Sequence, residues 1–363
     1  RFDERRATIK SMISIDDSYP EVIKLDMPLG PELVQFMIDN GGTYLVANPM
    51  AAGKTRLVLK PLFEALCDDR RMPFLLTGRR ALQKTYLDHL DVRNYQYAFA
   101  ESRVPGVAGV VNKMLLDENY AKDRGNSEMV LVDEIEEVLD HMCSNAVGES
   151  KFENKVQINT AFDKQFKQSR IVVLCDAMMS TNSMERAVKL SNESGKKVYL
   201  ISSESKKKKP LVRIYKCEHD CVEDTMSHIE KGNKAAIFSD RQHQPEKSKL
   251  NALVEAISPV ISGGHALIDG AFMQNPKTAK LMSDVDKLAA ANQVLFYNSA
   301  AGSGVSIQDT DYKTLMSIGS GTLYPNGFVQ TLGRFREVEN VNLYMGHISN
   351  KHIKTGKDDI LSN

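Results

Sequence analysis

At 363 residues, 42% hydrophobic and 26% charged, the chain has the composition of a globular protein and enough length for two cores. Lys+Arg and Asp+Glu number 47 each, which excludes a uniformly basic nucleic-acid coat but leaves room for a local basic groove. The five cysteines are scattered and odd in number, which suits a reducing compartment better than a disulfide framework.

No apolar run approaches the ~20 residues that span a bilayer and no secretory signal is visible, so no membrane partner is expected. The chain opens on Arg1, which points to a fragment or processed product with flanking domains missing. Before Pro31 the sequence is charged and irregular. Helical periodicity then runs from Pro31 to Ile38, closed by Asn40-Gly41-Gly42. Short β-rich runs follow at 43–47, 74–77, 129–132, 171–174 and 198–202, separated by helical stretches. This alternation predicts a mostly parallel sheet covered by helices. The polar segment 144–155 reads as an irregular insertion, and Ser202–Pro210, with its Lys206–Lys209 run, as a linker. A second alternating set occupies 211–215, 235–239, 266–269, 294–297, 314–318 and 341–345, and the tail from Lys351 reads as a frayed end. The predicted division is 1–205 and 206–363, both α/β.

Between the strand at 43–47 and the helix beginning near Arg56 lies Asn48-Pro49-Met50-Ala51-Ala52-Gly53-Lys54-Thr55. A strand, a tight loop and a helix N-terminus make an anion cradle, because backbone N–H groups and the helix dipole point at the same spot. Pro49, Met50, Ala51, Ala52 and Gly53 would line a phosphate, Lys54 would reach its outer oxygens and the Thr55 hydroxyl would ligate Mg²⁺. Asn48 and Ala51 stand where glycine is usual in such loops.

Asp133 and Glu134 end the buried strand at 129–132. One reading has Asp133 on Mg²⁺ and Glu134 deprotonating the attacking water. The other is a helix N-terminus enriched in acids, since Glu136, Glu137 and Asp140 follow. Gln330-Thr-Leu-Gly-Arg334-Phe-Arg336 precedes the last strand, and its arginines suit either a γ-phosphate or surface pairs with Glu337 and Glu339. Arg79 and Arg80 follow a strand and suit phosphate contacts or plain solvation. Asn298 and Ser299 either donate to phosphate or cap a turn, and Tyr297 reads as core or as a stacking platform. Cys217-Glu-His219-Asp-Cys221 offers three close ligand types without a second pair, so no metal is expected there. Gly263-Gly264-His265 reads as a turn before a strand.

The ordered set formed by the phosphate loop, Asp133-Glu134, Asp176-Ala177, Gly304-Val-Ser306 and Gln330…Arg334-Phe-Arg336 resembles a superfamily-2 helicase, over roughly residues 43–346. Pro49-Met50, Gly78-Arg79-Arg80-Ala81-Leu82, Tyr297-Asn-Ser299 and the arginine motif are similar to the herpesvirus-type replication origin-binding helicases and their phage or plasmid relatives. The resemblance implies two tandem RecA-like domains with an interdomain ATP cleft. It implies ATP and Mg²⁺ as cofactors. Lys54, Glu134, Gln330, Arg334 and Arg336 would be catalytic, with Gly304 at the nucleotide. Asp176, Ala177 and Ser306 would couple hydrolysis to domain movement, and Arg79, Arg80, Asn298 and Ser299 would contact nucleic acid. The implied partner is single-stranded or forked DNA, with RNA as the other candidate, alongside replication proteins. The implied place is the cytoplasm of a bacterial host or a nucleus. The acidic motif reads Asp-Glu-Ile-Glu and the third motif Asp-Ala-Met-Met-Ser-Thr, both departures from the family, and no upstream glutamine motif for adenine is found. A nucleotide-gated clamp that does not unwind is the alternative function.

Overall fold

The computed structural model describes residues 21–48, 52–68, 73–78, 93–94, 107–110, 128–143, 152–202, 210–240, 249–269, 272, 285–298, 307, 311–320, 325–335 and 337–346. The chain divides into two compact units, Arg1–Lys206 and Lys207–Asn363.

The first unit runs β1 (Val22–Lys24), α1 (Pro31–Asn40), β2 (Gly42–Ala47), a π-turn (Thr55–Leu59) leading into α2 (Lys60–Asp68), β3 (Pro73–Thr77), β4 (Arg93–Asn94), β5 (Val107–Val110), β6 (Met129–Asp133), α3 (Ile135–Cys143), α4 (Phe152–Gln168), β7 (Ile171–Asp176), α5 (Thr181–Glu193) and β8 (Val198–Ile201). Its strands order as β1-β8-β2-β7-β6-β3-β5-β4. Every pairing among them is parallel. Parallel strands need helical crossovers, which cover both faces, so the strands must be apolar on both sides. They are: Leu45, Val132 and Leu174 face Val138, Phe162 and Val188 of α3, α4 and α5, while Val46, Leu131 and Val173 face Met37, Leu62 and Phe63 of α1 and α2.

The second unit runs β9 (Leu211–Tyr215), α6 (Glu218–Glu230), β10 (Lys234–Ser239), α7 (Lys249–Ile257), β11 (His265–Ile268), α8 (Val285–Ala290), β12 (Val294–Tyr297), β13 (Tyr312–Gly319), α9 (Pro325–Leu332) and β14 (Asn340–Met345). Its sheet orders as β11-β12-β10-β13-β14-β9, again all parallel. One face packs an aromatic layer of Phe238, Tyr297, Phe328 and Phe335. The other packs Cys221, Ile237, Leu253, Phe296 and Met316.

Two local expectations change. Residues before Pro31 are not all irregular: Val22–Lys24 add a parallel edge strand on β8, and Leu25, Met27 and Leu29 pack on the core. Residues 152–155, read as part of an irregular insertion, open α4. The Gly41 cap of α1 is as expected, with φ 62° and its N–H bonded to the Met37 carbonyl. The linker 203–209 and the tail from Lys351 lie outside the described residues. Among the described residues no helix is long and apolar enough to cross a membrane.

Candidate nucleotide site

Strands β2, β7 and β6 are adjacent and parallel, so their carboxyl ends open at the same edge. Adjacent strands lie about 5 Å apart, which puts the end of β2 about 10 Å from that of β6, the scale of a polyphosphate. Open parallel sheets bind ligands outside the carboxyl ends of their strands.

The loop after β2 starts at Asn48, which is buried. Pro49, Met50 and Ala51 lie outside the described residues. Gly53 takes φ 85°, and a Cβ there would come within 2.9 Å of Leu57 Cδ1. Neither Asn48 nor Ala52 has positive φ. The loop therefore needs glycine at 53 and not at 48 or 52, which is why the out-of-pattern Asn48 is tolerated. Lys54 begins the helical segment and donates Nζ–H to the Asn48 carbonyl at 2.7 Å, so its ammonium lies across the loop's mouth. Thr55 is exposed at the head of the π-turn. A backbone left-handed at Gly53, a lysine over the mouth and an exposed hydroxyl at the helix start fit a Mg²⁺-nucleotide's phosphates.

At the end of β6, Asp133 is 6% exposed and its Oδ1 accepts the Glu134 N–H at 3.2 Å. Glu134 has φ 57°, the one non-glycine with positive φ among the described residues. Its carbonyl accepts the Val138 N–H, so it heads α3. A glutamate held left-handed is strained, and such strain concentrates at functional positions.

At the end of β7, Asp176 is 1% exposed. Its Oδ1 accepts Met178 N–H at 2.8 Å and its Oδ2 accepts Glu136 N–H at 3.1 Å. Burial pushes its pKa up to about 6, the two N–H bonds pull the other way, and the carboxylates of Glu136 and Glu134 push up further. Glu136 in turn accepts Ser180 N–H at 2.6 Å. Ser180 caps α5 through its hydroxyl, which accepts Ser183 N–H at 3.2 Å. The buried thiol of Cys175 registers the convergence of the three strands. Burial raises its pKa most, Asp133 and Asp176 raise it further and Lys54 lowers it. Glu136 and Glu137 occupy the first turn of α3, as the reading of an acid-rich helix start expects.

Glu136 and Ser180 were not singled out from sequence. Glu136 reads there as one more acid at a helix start, and nothing local reveals that its partner lies on another strand's loop. Gly78, next to Arg79, passes so close to α3 that a Cβ would meet Glu137 Cγ at 2.8 Å. Arg79 and Arg80 themselves lie outside the described residues.

In the second unit Arg334 follows α9. Its carbonyl accepts Ile307 N–H at 2.9 Å, and Ile307 pairs in parallel with Phe335. This places the segment just after Ser306 beside the arginine motif, two stretches far apart in sequence. The side chain of Gln330, and Gly304, Ser306, Ser299 and Arg336 altogether, lie outside the described residues. Asn298 is half-buried at the end of β12 and donates its N–H to the Ile268 carbonyl. Tyr297 is 2% exposed among Phe238 and Phe335, hence core and not a stacking platform. Cys221 is buried while Cys217 and His219 are exposed, so those side chains do not converge. Gly264 takes φ 80° just before β11, the turn expected there. Among the described residues no group of three or more His, Cys, Asp or Glu forms a metal cage. Mg²⁺ needs none, because it keeps waters and phosphate oxygens as ligands beside one or two side chains.

No family model matches the chain. It is 20% identical over 342 residues to "Uncharacterized putative helicase R8" of Acanthamoeba polyphaga mimivirus, covering 88% of this chain and 31% of that protein. Among solved structures it is similar to Mycobacterium smegmatis helicase Lhr bound to ssDNA and AMP-PNP, with TM-score 0.57, 13% identity and coverage of 86% of this chain and 45% of that one. It is similar to T. fusca Cas3 with ATP, with TM-score 0.59, 14% identity and coverage of 90% and 47%. It is also similar to S. cerevisiae Dbp5 bound to RNA and ADP BeF3, with TM-score 0.58, 14% identity and coverage of 90% and 89%. The two parallel-sheet units flanked by helices match tandem RecA-like helicase cores, as the sequence predicted. The chain spans about a third of the mimivirus relative and under half of two of these structures.

Proposed function

We propose that the chain is a nucleic-acid-dependent ATPase of the helicase type, acting as a translocase on a nucleic-acid strand. The observation that carries this is the meeting of Lys54, Asp133-Glu134 and Asp176 at the carboxyl ends of three neighbouring strands. Distant likeness to the mimivirus "Uncharacterized putative helicase R8" and to helicase-type structures solved with ATP or AMP-PNP supports the same reading.

In this reading ATP with Mg²⁺ supplies the phosphoryl group that is cleaved. Pro49 would open the loop, and Met50, Ala51, Ala52 and Gly53 would present backbone N–H groups to the phosphates. Lys54 balances their charge. Thr55 and Asp133 hold the Mg²⁺, and Glu134 takes a proton from the attacking water. Arg334 and Arg336 would neutralise charge at the cleaved group, with Gln330 and Gly304 beside the nucleotide. Asp176, Ala177 and Ser306 pass the change to the strand-binding residues Arg79, Arg80, Asn298 and Ser299.

Within that class we place the chain with the herpesvirus-type origin-binding helicases, acting on single-stranded or forked DNA in replication, inside a cell. The segments Gly78–Leu82 and Gln330–Arg336 support that choice. A forked DNA duplex with a labelled strand tests it: ATP-dependent strand release is expected. Stimulated ATPase without release favours a nucleotide-gated clamp, and stimulation by RNA alone removes the replication role.

A further inference from the structure

The second sheet ends on two unlike edges, β11 and β9. β11 exposes His265 but keeps Ala266 and Leu267 half-buried and Ile268 buried. β9 shows Leu211 at 57%, Val212 at 49% and Ile214 at 72% exposure. Proteins ordinarily blunt an edge strand with charge, proline or cover, because its unpaired backbone groups invite another strand. In β9 only Arg213 is charged. Among the described residues no strand pairs with its outer side.

Leu211 donates its N–H to the Glu339 carbonyl at 2.8 Å, on the β14 side. Backbone groups of successive strand residues point to opposite sides. Those of Arg213 and Tyr215 therefore also turn to β14, while the N–H and C=O of Val212 and Ile214 turn outward. Side chains alternate as well. Val212 and Ile214 lie in register with Val341 and Leu343, on the sheet face that packs Phe328 and Leu332 of α9. Arg213 and Tyr215 face α6. There the Tyr215 hydroxyl donates to Asp224 Oδ2 at 2.6 Å, and Arg213 Nη1 stands 3.7 Å from the same oxygen.

We propose that β9 pairs antiparallel with β9 of a second copy of this chain, about a twofold axis at Arg213. Only this register lets Val212 and Ile214 of each copy exchange N–H and C=O bonds with Ile214 and Val212 of the other. It also sets valine against isoleucine twice on the α9 face, apolar cross-strand pairs of the kind that stabilise sheets. Charge along the chain favours the same occupant. The sequence before β9 is Lys206–Lys209, and the helix after it opens with Glu218 and Asp220. An antiparallel copy brings its basic approach beside the other's acidic helix start, on both sides of the axis. A parallel copy would set like charge beside like. The cost is two facing arginines at the axis, and each brings its Asp224 with it.

A pair of five-residue strands falls short of the roughly 1,200 Å² of stable interfaces, so the dimer is weak, with a Kd of about 10–100 µM. Sedimentation equilibrium of the full chain from about 1 to 300 µM spans that Kd. The unaltered chain is compared with Ile214→Lys and Asp220→Lys, folding being checked by thermal unfolding. Both residues are exposed, so neither change should unfold the unit. The unaltered chain should pass from monomer to dimer mass across the range. Ile214→Lys should raise Kd about ten-fold or more, because the apolar side chain is lost from both copies. Asp220→Lys, outside the strand, should raise it several-fold by setting lysine beside the other copy's lysine run. Monomer mass at every concentration, or a Kd that either variant leaves unchanged, overturns the inference. Mass beyond the dimer overturns it too, since a closed twofold pair takes no third copy. The ATPase reading is tested separately, by turnover, and survives each of these outcomes.

Discussion

Asp176 and Glu136 hold each other's loops: the Asp176 carboxylate takes the Glu136 N–H at 3.1 Å, and the Glu136 carboxylate takes the Ser180 N–H, four residues beyond Asp176, at 2.6 Å. The turn after β6 and the turn after β7 therefore move as one piece. Glu136→Ala leaves the Ser180 N–H without this acceptor and should destabilise the first unit by roughly 1–3 kcal/mol. Glu136→Gln keeps an acceptor oxygen and should recover most of that. Chemical denaturation of both variants checks it, and equal loss in the two would mean that charge and not the hydrogen bond matters.

Asp176 gives a pH signature. Its folded pKa, about 6, lies above the ordinary carboxylate value of 3.8, mainly through burial. The native state then binds the extra proton between roughly pH 4 and 6, so Asp176 lowers stability as pH rises through that window. Asp176→Asn removes this term. Its Tm relative to the unaltered chain should be more favourable at pH 7.5 than at pH 4.5. A difference that is flat or reversed across that range contradicts the assignment.

Much of this was legible in sequence. Each strand of the second unit and the five long-run strands of the first announced themselves as apolar runs ended by polar turns; the central strands read so because they are buried on both faces, whereas β9 does so with Leu211, Val212 and Ile214 exposed. β1 did not, since an edge strand of three residues with exposed Ile23 carries no buried run. In the site, Lys54 and Asp133 were visible through local context. Glu136 and Ser180 were not, because each matters through a partner brought near by the sheet order.

Among the described residues between β2 and the π-turn, Gly53 is the one with positive φ. Gly53→Ala places a Cβ at φ 85° against Leu57. A left-handed non-glycine residue costs about 1–2 kcal/mol, so ATP affinity should fall more than Tm does, since the strain is relieved by distorting the loop. Titration with a fluorescent ATP analogue checks this. Affinity unchanged from the unaltered chain would contradict the loop geometry.

Thiol chemistry tests the burial. Cys143 and Cys217 are exposed, while Cys175 and Cys221 are buried with thiol pKa values raised, that of Cys221 to about 12. Alkylation at pH 8 followed by peptide mapping should label Cys143 and Cys217 within minutes and the other two only after unfolding. Native labelling of Cys175 at the rate of Cys143 would contradict the placement of β7.

The central claim is that Lys54 and Glu134 hydrolyse ATP in response to nucleic acid. The most direct measurement is the ATPase rate of the unaltered chain, Lys54→Ala and Glu134→Gln, with no nucleic acid, single-stranded DNA, duplex DNA and RNA, each at two salt concentrations. The account predicts stimulation by at least one nucleic acid, weaker at higher salt because phosphate contacts release counterions, and loss of turnover in both variants. Turnover in Lys54→Ala equal to that of the unaltered chain would contradict it.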